Sequence, residues 1–219
     1  MKNPYRWLIY GLGMAVLALG ITLNTKTGLG VSPIISVAYS AAQIFSLNFG
    51  DMTFLLYVLF VVVQLFLRSK KERLATFLQI VVSLIFSRFL NLCDALIPYD
   101  SANHGLPANL ALLVLAIFLT GLGVAMTVNM RLVPNPGDGI VQAIAEKIGR
   151  SQGDTKNIFD VGCVCTTVVV GLCCTGSVIG IGVGTVAAMV GVGRSVALVN
   201  GLFKDKMEAA AGITAGGKA

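Results

Sequence analysis

A chain of 219 residues that is 56% hydrophobic and 12% charged, with a mean hydropathy of +0.85, has too little polar surface to cover a water-soluble globule of its size; soluble domains carry about 25% charged residues. The formal charge of +6 is spread over short clusters between apolar runs, which excludes a nucleic-acid-binding surface and reads as a membrane topology signal. The runs are continuous and lack a period-two alternation, so an outer-membrane barrel is excluded too, and helical spans with internally satisfied backbones remain.

In chain order, Lys2 and Arg6 precede an apolar stretch over about 5–25 with no small-x-small cleavage site, so it is read as a retained first span. Gly28-Leu29-Gly30-Val31-Ser32-Pro33 then breaks the helix, and a shorter element runs from Pro33 to about 48. Spans follow at about 51–68, 74–97 and 107–130. A second break, Pro134-Asn135-Pro136-Gly137-Asp138-Gly139, opens a short element to about 149. That element carries Gln142, Glu146, Lys147 and Arg150 and is too polar to cross bare lipid. The last spans are expected at 157–175 and 177–203, since about 17–20 apolar residues suffice to cross. Residues 1–203 form a single membrane domain, and 204–219 a cytoplasmic tail, helical at first and then flexible.

The two breaks belong to a motif present twice. Leu19-Gly20, Pro33 and Gly50-Asp51 recur as Leu122-Gly123, Pro136 and Gly153-Asp154, all shifted by 103 positions, which makes 5–97 and 107–203 two repeats. If the Pro-led elements are re-entrant, 12 basic residues fall inside with the N-terminus, and only Lys26 lies clearly outside. If both cross, the Arg68–Arg73 cluster moves outside, against the positive-inside rule. The expected fold is therefore all-α, with six transmembrane helices and two re-entrant half-helices. Three spans per repeat is an odd number, so the second repeat is inverted relative to the first.

Ser32 and Asn135 suit helix N-caps, and Pro33 and Pro136 the first helical position. Two helix N-termini meeting near the midplane would favour an anion or a polar carbonyl group, while Asp138 either caps its helix or attracts a cation or proton. Arg88 and Arg194 lie within spans, Arg88 about 21 Å deep at 1.5 Å per residue. Such residues mark a ligand or gate, or else snorkel or form a static ion pair. Asp160 lies at the same inner depth as Arg194, so an Asp160–Arg194 pair is expected. Gly180, Gly184 and Ala188 read as a small-residue packing face of the last helix. Asp51 and Asp154 read as helix caps, and the five cysteines as helix-packing residues. No catalytic motif, metal-ligand cluster or cofactor loop is visible, so neither enzyme activity nor a metal or cofactor is expected.

The Ser-Pro break, the NPGDG break and the late GVGT stretch together resemble the YczE/YyaS-like family of bacterial membrane proteins, to which the YitT-like proteins are related. The resemblance covers most of 8–203. It implies that Asp138 and Gly139 of the second break and Gly184 and Thr185 of the last span match family motifs, the first-half counterpart being degenerate as Ala75-Thr76. It implies membrane architecture and no substrate. The expected function is a secondary transporter or channel for a small polar or anionic solute in the bacterial inner membrane, with both termini cytoplasmic. Ser32, Pro33, Arg88, Asn135, Asp138, Gly139, Thr185 and Arg194 are the candidate binding residues. The alternatives are the substrate-binding subunit of an ATP-driven vitamin importer and a non-transporting accessory protein. The expected partners are the lipid bilayer, a small-molecule solute and, in a homodimer, a second copy of the chain.

Overall fold

The computed structural model describes residues 4–70 and 72–213, and every regular element among them is helical. Six helices are long and apolar enough to cross a membrane: α1 (Pro4–Lys26), α3 (Phe49–Leu67), α4 (Arg73–Leu96), α5 (Leu106–Asn129), α7 (Gln152–Thr175) and α8 (Val183–Ala210). The chain is a multi-pass membrane protein. Two shorter helices, α2 (Pro33–Ile44) and α6 (Pro136–Ile148), follow the two breaks, each with its proline at the first helical position. The end of the tail, 214–219, lies outside the described residues.

Local signals explain the starts. Asn48 caps α3 by accepting from Asp51 N–H, and Ser151 caps α7 by accepting from Asp154 N–H. This corrects the expectation that Asp51 and Asp154 are caps. Each is the third helical residue, where a carboxylate complements the helix dipole. The last span also departs from expectation. It begins at Val183 and continues to Ala210, so Gly180 lies outside the helix with a left-handed φ of 80° and no continuous Gly180–Gly184–Ala188 face exists.

α1 and α5 form the centre, crossing at glycine. A Cβ on Gly20 would stand 2.5 Å from Thr120 N, and one on Gly123 would stand 2.6 Å from Leu17 Cα, so only glycine lets these backbones approach. Gly13 faces Met126 and Thr127 farther along, so as α1 advances its contacts on α5 recede: the two helices are antiparallel. α4 packs on α1 and α3, α8 on α5, α2 on α7 and α3, and α6 on α3 and α7. α3 and α4 pack along each other, whereas α7 and α8 barely touch.

Polar pairs tie helix ends together. Lys26 at the end of α1 meets Asp94 near the end of α4 at 2.7 Å, and Arg131 after α5 meets the buried Glu208 near the end of α8 at 3.0 Å. Arg6 donates to Met130 O and Arg131 O at 2.7 and 2.8 Å, placing the start of α1 beside the end of α5. Inside, Ser36 of α2 and Thr167 of α7 share a hydrogen bond of 2.8 Å with both residues fully buried. Thr167→Val is expected to cost about 1 kcal/mol. In thermal unfolding, Ser36→Ala added to it should cost less than it does alone, because the two residues share one bond.

Candidate functional site

The first break is held by backbone pairing with the segment before α8. Val31 N–H donates to Gly180 O at 2.9 Å, and Gly184 N–H donates to Leu29 O at 2.7 Å. Gly30 makes this possible: its φ is 102°, and a Cβ there would stand 2.7 Å from Thr185 Oγ1. Asn24 Oδ1 accepts from Ser32 N–H at 3.0 Å, fixing the residue that starts α2. Ser32 is the N-cap of α2, but its side chain makes no capping bond. At the second break Asn135 caps α6 through its side chain, which accepts from Gly137 N–H at 3.0 Å.

The two breaks face one cavity of about 450 Å³. Leu17, Ile21, Val124, Val128, Met189 and Val192 give it apolar walls from α1, α5 and α8. Ser32, Tyr57, Thr120, Asn135, Asp138, Gln152, Lys156, Asn157 and Asp160 give it polar groups. Tyr57 and Asn135 reach the cavity from α3 and from the start of α6. Lys156 Nζ lies 3.3 Å from the Asp160 carboxylate, one turn away on α7. Among the described residues, Asp138 has no ion pair or side-chain hydrogen bond; Lys156 and Asp160 are its charged neighbours. The lining holds two carboxyl groups and one amine, a formal charge of −1 when all three are ionised.

Of the candidate residues, Ser32, Pro33, Asn135 and Asp138 line this cavity, and Asp160 joins them. Gly139 stands one layer behind, where a Cβ would meet the side chains of Gln64 and Gln79, which exchange amide hydrogen bonds of 3.0 and 3.1 Å. Thr185 is buried behind the first break and accepts from Gly182 N–H at 3.1 Å. Arg88 is elsewhere: it pairs with Asp51 at the start of α3, and the side chains are 57% and 51% exposed. Of the expected alternatives, the static ion pair is the one that forms. Arg194 is exposed on α8 beside the cavity-lining Gly193. The expected Asp160–Arg194 pair does not form, because α8 stands away from α7 and Lys156 takes the carboxylate from one turn away.

The polar lining residues missed from sequence are Tyr57, Thr120, Gln152, Lys156 and Asn157. The 103-residue shift carried a signal for one of them, since it maps Tyr57 onto Asp160 as it maps Ser32 onto Asn135. Of the second-half cysteines, Cys163 packs inside, while Cys165, Cys173 and Cys174 lie on the outer surface.

Three comparisons with known proteins bear on identity. The model of DUF6198, a family of unknown function, matches residues 4–201. A Bacillus subtilis (strain 168) protein described as uncharacterized protein YyaS is 24% identical over 141 residues, spanning 64% of this chain and 69% of that protein. No solved structure matches the chain.

Proposed function

This chain belongs to the DUF6198 family, and we propose that it is a secondary transporter, a carrier and not an enzyme, that moves a small polar solute through the cavity between its two breaks. The observation that carries this reading is an asymmetry. α3 and α4 are packed together, while their repeat counterparts α7 and α8 are apart and flank the cavity.

The reading requires the repeats to be inverted and α2 and α6 to be re-entrant. Lys26 and Asp94 put the ends of α1 and α4 on one face, which an additional crossing by α2 would prevent. Arg131 and Glu208 argue likewise for α6. α2 has 12 residues, about 18 Å of helix against about 30 Å of hydrocarbon. The antiparallel α1–α5 crossing supports the same arrangement, and its contacts are mates. Gly20 meets Thr120 and Gly123 meets Leu17, and the second contact is the first with each residue exchanged for the one 103 positions away. Ser36 with Thr167 corresponds in the same way to Gly139 with Gln64.

Positive charge favours cytoplasmic starts for α1 and α7, and we take the membrane to be the bacterial inner one. The cavity then opens inward, past Gln152, Gly153 and Lys156. Gly50 N–H donating to Asn91 Oδ1 at 3.1 Å, with Arg88 on Asp51, closes the outer side. In the opposite state α8 closes on α7, bringing Arg194 to the first turn of α7 at Asp154, while the outer pair parts. This is alternating access around a site at the repeat interface. The size of the cavity suits a small solute, near the lower end for ligand pockets.

The test is efflux from proteoliposomes loaded with a mixture of small polar metabolites, followed by mass spectrometry. Selective loss of one chemical class through the wild-type protein is expected, at least ~10-fold slower with Asn135→Leu, which fills the cavity and removes a cap. Equal retention of every compound by wild-type and empty vesicles would overturn the carrier reading.

A further inference from the structure

The net charge of the cavity points past "polar solute" to a chemical class. Resting on the carrier reading above, we propose that the cavity binds an organic monocation, an ammonium group on a small apolar body, and that Asp138 receives its charge. Lys156 already neutralises Asp160 at 3.3 Å, while Asp138 has no direct partner among the described residues, so one carboxylate is left for a ligand. Ionising a carboxyl with no partner in a buried cavity is costly, and an entering cation offsets that cost as it binds.

The surroundings select the rest of the ligand. A volume of about 450 Å³ is far larger than a bare metal ion needs, and no group of three metal-ligating side chains exists among the described residues. The walls beyond Asp138 are valine, leucine, isoleucine and methionine from α1, α5 and α8. Ser32 Oγ and Asn135 near the two helix starts can accept from ammonium hydrogens. An anion would face Asp138 and Asp160 with only Lys156 in its favour, and Lys156 is engaged. The two helix N-termini are too weak to reverse this, since each amounts to about half a charge at most.

The probes are butylammonium, tetraethylammonium, butyrate, 1-butanol and sodium chloride, titrated calorimetrically into the purified full chain. Butylammonium and tetraethylammonium should bind, and 1-butanol, butyrate and sodium should not. Asp138→Asn should weaken butylammonium by roughly 10- to 100-fold, the scale of losing one ion pair at intermediate dielectric. Lys156→Gln should tighten it, because a competing ammonium is gone; this variant leaves Asp138 in place and guards against a folding defect in the first. Butyrate binding in preference to butylammonium, or unchanged butylammonium affinity in both variants, would overturn the proposal and leave the carrier reading intact. Failure of the carrier reading shows separately, as absent efflux of every metabolite class.

Discussion

Cysteines introduced at Gly153 and Arg194 are expected to cross-link in membranes, although α7 and α8 barely touch in this structure. On the proposed repeat their counterparts, 103 residues earlier, are Gly50 and Asn91, which are in direct contact. An inverted pair that exchanges its two conformations must bring residues 153 and 194 as close as 50 and 91 are now. If the state closed on the cytoplasmic side is a minor one, populated at roughly 0.1–10%, an irreversible disulfide accumulates it over time. A transported solute that favours closure raises the rate by its differential affinity for that state. The measurement is gel mobility under oxidation, in a background with the five native cysteines replaced. Gly50→Cys with Asn91→Cys should cross-link at once, and its formation should stop transport. If the 50/91 pair forms readily and the 153/194 pair never does, with or without solute, the swing of α8 is not part of the cycle.

How much of this was readable beforehand follows from what kind of signal each residue leaves. Span positions were legible because about 20 apolar residues in a row are visible without any tertiary knowledge; the first five spans and both short helices match, and the sixth helix overlaps its expected span but lies displaced toward the C-terminus. The start of α8 was not. Gly180-Ile181-Gly182 is as apolar as a helix, and only its pairing with Leu29 and Val31 shows that the backbone is extended there. The positions of Ser32, Asn135 and Asp138 at the two helix starts were legible from Pro and Gly punctuation, which reports backbone shape directly. Tyr57 was hidden because the residue 103 positions later is Asp160: both line the cavity, but a phenol and a carboxylate share no sequence signature. The partner of Arg88 was out of reach because it depends on the register between α3 and α4. The identity of the pair at Asp160 depended on a gap between α7 and α8 that hydropathy does not report. The expectation of an anion rested on helix N-termini alone, and the lining brings two carboxylates to the same place.

Gly20→Ala and Gly123→Ala are expected to destabilise the protein by similar amounts, about 1–3 kcal/mol each, as overpacked cores do. In both cases the added methyl meets main-chain atoms of the crossing helix, Thr120 N at 2.5 Å for one and Leu17 Cα at 2.6 Å for the other, and main chain cannot rotate out of the way. Gly11→Ala and Gly162→Ala sit in helices with nothing within 4 Å, so they should be neutral or stabilising by up to about 1 kcal/mol through helix propensity. Thermal unfolding of the detergent-solubilised variants separates the two classes. The comparison within the first class carries the further meaning. Two positions in unrelated places have no reason to respond alike, but Gly20 and Gly123 are one position counted twice if the halves are duplicates. Their matched response therefore tests the axis through the α1–α5 crossing, about which the proposed exchange of conformations takes place. A Gly123→Ala variant as stable as the wild type would put the close crossing in error, and with it the axis on which the two states are related.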